Sequence, residues 1–400
     1  PPPPPPPPPP PNNLNYTPPT SNNTMVSSSA ASDLYKRQAH AFFMSDYLFV
    51  EESDSLVPAL QKHGQLGVDT EFMRERTYFA QLCLVQISTR GEIWCADPLS
   101  GHSQDEFWNE LLSHDWVLHS ARQDIEVIYQ TAGKMPVSIF DTQVAAGLLG
   151  YPAQMGYAGL VKELFDVEIH KSHTRADWSK RPLRQEYLDY AAEDVEYLLP
   201  ACERLMEQLD QKGRLAWARE DSHWLLDPAL YDISDNQALD RLKGARNFRG
   251  RRRAAAARLA AWREAEAIKR DRPRQWIMRD NVLLDIAYRL PESESAMADI
   301  QGVPSKLVKR VGRQLLDLVA ASASDSRDYS PPRPPDEGQK ALLKEMQSRV
   351  AACAKDLDIA AETVASKREL SGVIISGNRD SRVFNGWRAE LIGNDLLDLL

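Results

Sequence analysis

The segment GVDTEFMRERTYFAQLCLVQIS, residues 67–88, sets two carboxylates, Asp69 and Glu71, at the end of a run that otherwise reads as buried strand. In a strand, residues i and i+2 project from the same face, about 7 Å apart. Like charges so placed repel each other, and each is costly to take out of water. A hard divalent cation such as Mg²⁺ is the natural partner, because it prefers oxygen ligands and takes few from the protein when a substrate phosphate completes the shell. Asp-x-Glu also occurs on solvated surfaces, so the pair needs further acids before it specifies a chemistry.

Two other segments supply them. In WVLHSARQDIEVI, Val117–His119 reads as a strand end and Ser120 with Gln123 as a capping box opening a helix, which puts Asp124 in that helix's first turn. Sites in α/β sheets gather at the carboxyl ends of strands, although the helix dipole favours an acid there in any case. In YLDYAAEDVEYLLPACERL, Tyr190 and Asp194 are i and i+4 on a strongly helical pattern and share a face. An acid and a phenol side by side suit a metal and a water; a tyrosine packed on a sheet has the same spacing.

The elements that must position these groups lie in 44–222, where short β-branched or apolar runs alternate with helical patterns, as in an α/β domain. LGVDTEF, LCLVQIS, IWCADP and WVLHS are predicted strands. Helices are predicted over 55–63, 103–112, 120–132, 142–149, 160–165 and 184–212. Beyond about 236, strand signals almost vanish. Helical periodicity covers 236–321 and 336–400, each the size of a small bundle, with a Ser/Asp/Pro-rich linker at 322–335 between them. Residues 1–43 open with eleven prolines and continue through Asn, Thr and Ser, too little apolar surface to offset ordering entropy. A disordered tail is expected there, or sequence upstream of a start at Met44 or Met25; a polyproline ligand is the functional alternative.

Four hundred residues exceed one ordinary core, so two or three domains are expected. A formal charge of −9 argues against a general nucleic-acid binder, but it hides a local asymmetry. From Arg241 to Asp280, fourteen Lys/Arg stand against four Asp/Glu. With no nearby acids to balance them, these residues, Arg251, Arg252 and Arg253 at their centre, are read as phosphate contacts that weaken as salt rises. A solvated helix face would look similar. The four cysteines are far apart and form no CxxC, which fits a reducing compartment and no zinc finger. No apolar run approaches ~18 residues and no secretory pattern opens the chain, so a soluble cytoplasmic protein is expected.

Together, Asp69-x-Glu71, Asp124 and Tyr190-x-x-x-Asp194 resemble the DEDDy subgroup of 3′→5′ exonucleases. VDTEFMRERTYFAQLCLVQIS is similar to the first exonuclease motif of ribonuclease D, and HSARQDIEVI to the second. IFDTQVAA with TRADWSKRPLRQEYLDYAAEDVEYLLP is similar to the third motif and its lead-in, so the likeness spans about 44–212. The block ALDRLKGARNFRGRRRAAAARLAAWREAEAIKRDRPRQWIMRDNVLLDIAYRLP resembles a helicase-and-ribonuclease-D C-terminal (HRDC) domain. GWRAELIGNDLLDLL resembles the family's chain end, where a second such domain lies. The chain is thus identified as a member of the bacterial ribonuclease D family. The sister subgroup has His five residues before the last acid, where this chain has Asp189, so the tyrosine version stands here. Ala80 replaces a proline frequent in the family, a change of local stiffness rather than of ligation. The family's first acid follows soon after its initiator, which favours Met44 as the start.

The resemblance implies a ribonuclease H-like α/β exonuclease domain followed by two all-α HRDC-type domains. It implies a monomeric 3′→5′ exoribonuclease, with two Mg²⁺ or Mn²⁺ ions, that trims tRNA precursors and other structured RNAs and releases mononucleotides. Asp69, Glu71 and Asp194 would bind the ion that activates water, Asp69 would bridge to the second, and Asp124 would support that one through its waters. Tyr190 would orient the attacking water, being a poor base near neutrality with an unperturbed pKa near 10; the metal lowers the water's pKa instead. Thr70 and Phe72 are expected at the terminal nucleotide. Arg122 belongs either at a phosphate or on the open surface. Asp141 either supports the acids or caps the helix starting near Thr142. His119, His170 and His173 show no partner pattern and are expected to be structural or exposed. Two readings from other classes use the same residues: a DNA 3′→5′ exonuclease, and an RNA-binding scaffold that has lost its metals, against which the intact acid set speaks.

Overall fold

The computed structural model describes residues 46–169, 176–231, 235–325, 327 and 335–400. The proline-rich tail, His170, His173 and much of the 322–335 linker lie outside the described residues.

Six strands form one mixed sheet in the order β1-β4-β3-β2-β5-β6: β1 (Tyr47–Val50), β2 (Gln65–Met73), β3 (Gln81–Ser88), β4 (Ile93–Ala96), β5 (Asp115–Leu118) and β6 (Ser138–Asp141). β3 runs antiparallel to both β2 and β4, and the pairs β1–β4, β2–β5 and β5–β6 are parallel. LCLVQIS on β3 is buried at every residue, which is why it reads as a continuous apolar run rather than an alternation. All four predicted strands are present. β1 and β6 are additional edge strands of four residues, too short for a period-2 pattern to register.

The helices of this domain are α1 (Asp105–Leu111), α2 (Arg122–Ala132), α3 (Thr142–Leu149), α4 (Tyr157–Phe165), α5 (Gln185–Glu196), α6 (Leu198–Gln211) and α7 (Leu215–Trp224). Val57–Leu60 adds a short helical turn. The predicted single helix over 184–212 is two, because Tyr197 leaves the helical conformation at φ −100°, ψ 3°. Pro200 then sits in the first turn of α6, where its missing N–H leaves no intrahelical bond unmade. Leu66, Val68, Trp116, Ile125 and Ile128 make one core with α1 and α2. Leu84, Cys95, Trp178, Leu188 and Ala191 make a second under α5.

The remainder is helical. α8 (Gly250–Arg270), α9 (Asp280–Arg289) and α10 (Ser305–Ala321) pack around Ala255, Leu259, Leu283, Ile286 and Leu315. The run Ala254–Ala257 presents almost no side-chain bulk, so the partner helices approach closely. α11 (Glu337–Asp356), α12 (Lys367–Ser376) and short turns to Leu397 share another core around Met346, Val350, Leu370 and Leu396. Both helices open on capping boxes, Asp336 with Gln339 and Ser366 with Glu369.

α7 joins the last helices to the sheet. Arg388, fully buried, forks onto Asp221 of α7, with Nη1 2.5 Å from Oδ1 and Nη2 2.7 Å from Oδ2. Trp387 stacks on Trp217 at 4.5 Å between centroids and 8° between planes, and its Nε1–H donates to Asp221. Arg214 donates to the Leu148 and Leu357 carbonyls together. Next to Asp221, Ser222 Oγ accepts the Asp141 N–H at 3.0 Å, so α7 also holds the end of β6. Arg388→Met should cost about 3–5 kcal/mol, since it strands a buried carboxylate. Adding Asp221→Leu should recover most of that loss. Urea midpoints of the two variants check both statements, and a double variant as unstable as the single one would refute the ion pair's role.

Candidate active site

Asp69 and Glu71 come from β2 and Asp194 from α5, and each offers a carboxylate oxygen within 4.8 Å of the others. β2 is buried over Leu66–Val68 and again at Thr70, while Asp69 and Glu71 on either side of Thr70 are half-buried, so its acids stand at the rim of the core. A bulge between Glu71 and Phe72 shifts the register with β3 there. Such irregularities re-aim side chains beside sites. The opposite carboxylate is set by how α5 rests on the sheet. Ser88 Oγ donates to the Val195 carbonyl at 2.8 Å, one residue past Asp194. A Cβ on Gly67 would lie 2.3 Å from that Oγ and 3.1 Å from Leu198 Cβ. Glycine at 67 therefore permits the close seat of the α5–α6 joint from which Asp194 reaches Asp69.

Asp124 arrives differently from the sequence expectation. The capping box of Ser120 with Gln123 does not form: Ser120 adopts φ +64°, outside the extended geometry a cap needs, and α2 starts at Arg122 with no side-chain cap. Asp141 takes over. Its Oδ1 accepts from Ser120 N at 3.1 Å, Gln143 N at 2.8 Å and Val144 N at 3.3 Å, while Oδ2 accepts from Ala121 N at 2.9 Å. The two readings of Asp141, support and cap, are thus one arrangement: a single carboxylate caps α3 and pins the segment that launches α2. Asp124 is buried in the first turn of α2, and its Oδ1 accepts from Thr70 Oγ1 at 2.5 Å. Thr70, expected at the terminal nucleotide, is itself buried and gives its hydroxyl to Asp124.

The electrostatics of the pocket are those of unrelieved negative charge. Burial, then the neighbouring carboxylates of Asp194 and Asp124, push the Glu71 carboxyl up to about 9. Burial and the charges of Asp124, Asp194 and Glu71 drive Asp69 well above the usual carboxylate range. Burial raises Asp124 to about 7 despite its bond from Thr70. Tyr190, i−4 to Asp194 and packed with Trp178 at 6.2 Å, is pushed up by burial and then by Asp194 and Glu71, so its phenol keeps its proton at any ordinary pH. Sequence reasoning passed over Gln86. Fully buried on β3, it is paired in register with Asp69, and neither its Nε2 nor its Oε1 has a partner among the described residues. Buried amides are nearly always satisfied. A bare amide beside crowded carboxylates fits a pocket built to hold hydrated cations, for which the all-oxygen donor set is also suited.

The remaining candidates divide. Phe72 is half-buried, with the Arg74 guanidinium 5.8 Å from its ring. Arg122 is exposed, its Nη2 3.5 Å from the Leu230 carbonyl. Arg251 is exposed, and Arg252 stacks on Tyr288 at 4.0 Å. Arg253 must be reassigned: it is buried and donates to the Ala245 carbonyl, so its guanidinium serves the helical core, not a phosphate. The expectation that no acids balance the basic segment is also corrected. Arg241 and Arg274 pair with Glu264, Arg263 with Asp280, Arg270 with Glu266, and Arg258 with Asp325 from outside the segment. Helical spacing and tertiary folding bring these partners in, which a count along the chain does not register. His119 is structural, held between Thr142 Oγ1 and the Met155 carbonyl at 2.9 Å each. Asp189 points away to the Tyr47 hydroxyl at 2.5 Å.

An acid whose pKa is higher folded than unfolded binds more protons in the native state, so stability falls as pH rises between the two values. For Glu71 that window runs from about 4.5 to about 9. Without divalent metal, the melting temperature should therefore drop across it, and Glu71→Gln should flatten the drop and melt a few degrees higher at its alkaline end. A wild-type profile that is flat over this window would disprove the crowding. Gly67→Ala should cost roughly 1–3 kcal/mol by overpacking, read from the urea midpoint, and should slow catalysis by displacing Asp194.

Comparison with known proteins agrees with this geometry. Residues 50–210 match the family model described as a 3′-5′ exonuclease, and 252–319 match that of the HRDC domain. The chain is 34% identical over 361 residues to a ribonuclease D of Gluconacetobacter diazotrophicus, covering 87% of this chain and 91% of the relative. It is 36% identical over 343 residues to one of Acidiphilium cryptum, covering 83% and 86%. The solved structure of Escherichia coli RNase D, described as an exoribonuclease involved in structured RNA processing, matches with a TM-score of 0.79 at 27% identity, over 89% of this chain and 98% of that one. The likeness runs through the exonuclease domain and the helical region alike, and the family's use of divalent metal accounts for the clustered acids. The chain therefore belongs to the ribonuclease D family and is a 3′→5′ exoribonuclease with an α/β catalytic domain and an HRDC-bearing helical region.

Proposed function

We propose that this enzyme trims the 3′ ends of tRNA precursors and other structured RNAs one mononucleotide at a time, using two divalent cations, Mg²⁺ or Mn²⁺. Asp69, Glu71 and Asp194 hold the ions, with Asp124 supporting the second. The observation that carries the reading is the convergence of three carboxylates from β2 and α5 within 4.8 Å, where the charges pressing on Asp69 and Glu71 are those of other acids. When bound, the cations supply a water that ionises near neutrality, and they neutralise the phosphate and the departing oxygen.

The chain's own residues do the rest. Thr70 fixes the Asp124 carboxylate by its hydroxyl. Tyr190 stays protonated, so it donates a hydrogen bond and orients the attacking water rather than removing its proton. The bulge after Glu71 shifts the register of β2 beside the acids, and half-buried Phe72 is read as a contact to the terminal nucleotide. Exposed Arg251 and Arg252 on α8 offer phosphate contacts that do not depend on sequence. We read 44–222 as the exonuclease domain, 236–321 as the first HRDC domain and 336–400 as a second of HRDC type. The enzyme is taken as a monomer in the cytoplasm, where tRNA precursors are made.

A time course on a 3′-extended tRNA tests this. Stepwise shortening from the 3′ side with mononucleotide products is expected, abolished by EDTA; internal cleavage products would overturn the reading. Asp69→Asn should lower the rate about a thousandfold or more, the weight of several kcal/mol of lost charge stabilisation, with RNA binding largely kept. Tyr190→Phe should lower kcat about ten- to a hundredfold at similar KM, as expected for a misoriented water.

A further inference from the structure

We propose that the cleft between the loop after β2 and the first helical domain binds single-stranded RNA upstream of its two terminal nucleotides. The inference rests on the exonuclease reading and adds a site to it. The cleft has a volume of about 910 Å³. One wall is Arg74, Tyr78 and Phe79 with Glu126 of α2; the other includes Arg241, Lys243 and Arg274. The first wall grows from two of the three elements that carry the catalytic acids, β2 and α2. Arg74 is three residues past Glu71, roughly 10 Å of extended chain, and Glu126 is two residues past Asp124. Both elements thus lead from an acid to the wall of this cleft within three residues. Tyr231, also on its lining, has its ring 6.4 Å from that of Tyr129, on the helix that carries Asp124.

The walls are locked together before any ligand arrives. Tyr78 Oη donates to Glu264 at 2.6 Å, and the N–H groups of Tyr78 and Phe79 both donate to Asp271 Oδ1, at 2.9 and 3.1 Å. The charge balance favours a polyanion. Glu264, nearly buried, is the one carboxylate shared by Arg241 at 3.1 Å and Arg274 at 3.6 Å, both partly exposed. Lys243 adds a cation with no ion pair among the described residues, while Arg74 is matched by Glu126 at 3.1 Å. A surplus of positive charge therefore faces the opening. Tyr78 and Phe79, edge to face at 5.0 Å between centroids, with Tyr231 beyond, bring aromatic surface to the same space. Cations for the backbone interleaved with rings for the bases are the physical requirement for gripping an unpaired strand whatever its sequence.

Full-length protein in EDTA, titrated into labelled oligouridylate and diuridylate, reads binding without cleavage. Lys243→Gln and Phe79→Ala should each weaken binding of the long strand about tenfold. Lys243→Gln should also lower the salt-dependence slope by about one, and the dinucleotide, too short to reach the cleft, should be affected far less. Lys243 is exposed, so its variant reports on binding even if Phe79→Ala melts. Wild-type affinity of both variants for the long strand would overturn the proposal. So would equal losses on both ligands, which would mean an effect on the catalytic pocket. Failure of the wild type to shorten either strand with Mg²⁺ is a separate result: it would refute the exonuclease reading, while the EDTA titration still decides whether the cleft binds RNA.

Discussion

The structure is organised around a repulsion. Two unit charges 4.8 Å apart at an effective dielectric near 20 repel by roughly 3.5 kcal/mol, and three such pairs rival the whole stability of a typical fold, about 5–15 kcal/mol. The acids of this pocket cannot all be ionised without a counter-charge, so without metal some keep their protons. That is the physical content of a Glu71 carboxyl raised to about 9. The same repulsion that burdens these acids is what a divalent cation would relieve, so metal binding and folding act through the same groups. The scaffold reading fares poorly on this ground, because a chain with no use for cations gains stability by losing any one of these acids.

Holding mutually repelling groups in register needs rigid supports, and each acid has one. Asp194 is set by the Ser88–Val195 bond and the seat at Gly67. Asp124 is set by Thr70 and, one step back, by Asp141, which gathers four backbone N–H groups from two helix starts. Asp141 in turn is bonded to Ser222 of α7, whose neighbour Asp221 takes the buried Arg388 of the last helices. The helical region is accordingly part of the framework behind the catalytic pocket and not an appendage on a tether. The Tyr78–Glu264 bond makes the same point on the side of β2.

Charge in the basic segment serves three purposes that a linear count merges. Arg253 and Arg263 are buried and bond to carbonyls or an acid inside the helical core. Arg241 and Arg274 crowd one carboxylate at the mouth of the cleft. Arg251 and Arg252 lie on open surface. Only the last two groups are open to a phosphate, because a guanidinium already desolvated in a core has no reach to one.

Much of the architecture was legible from the chain alone. The four interior strands and nearly all the exonuclease helices announced themselves by periodicity. Asp69, Glu71 and Asp194, which the fold brings within 4.8 Å of one another, stood out only in combination, because each alone has an ordinary place on a solvated face or a helix. The edge strands were hidden, since four residues carry no period and become strands only by pairing with a neighbour. The roles of Ser120, Asp141 and Gln86 were hidden as well. Ser120 followed by Gln123 has the letters of a capping box, yet the αL backbone at Ser120 was decided by Asp141, twenty-one residues away, pulling its N–H across. Which arginines stay open to solvent and which sit in the core also depended on helices folding over one another. Local chemistry is written along the chain; which group a donor finally bonds is settled only when distant segments compete for it in three dimensions.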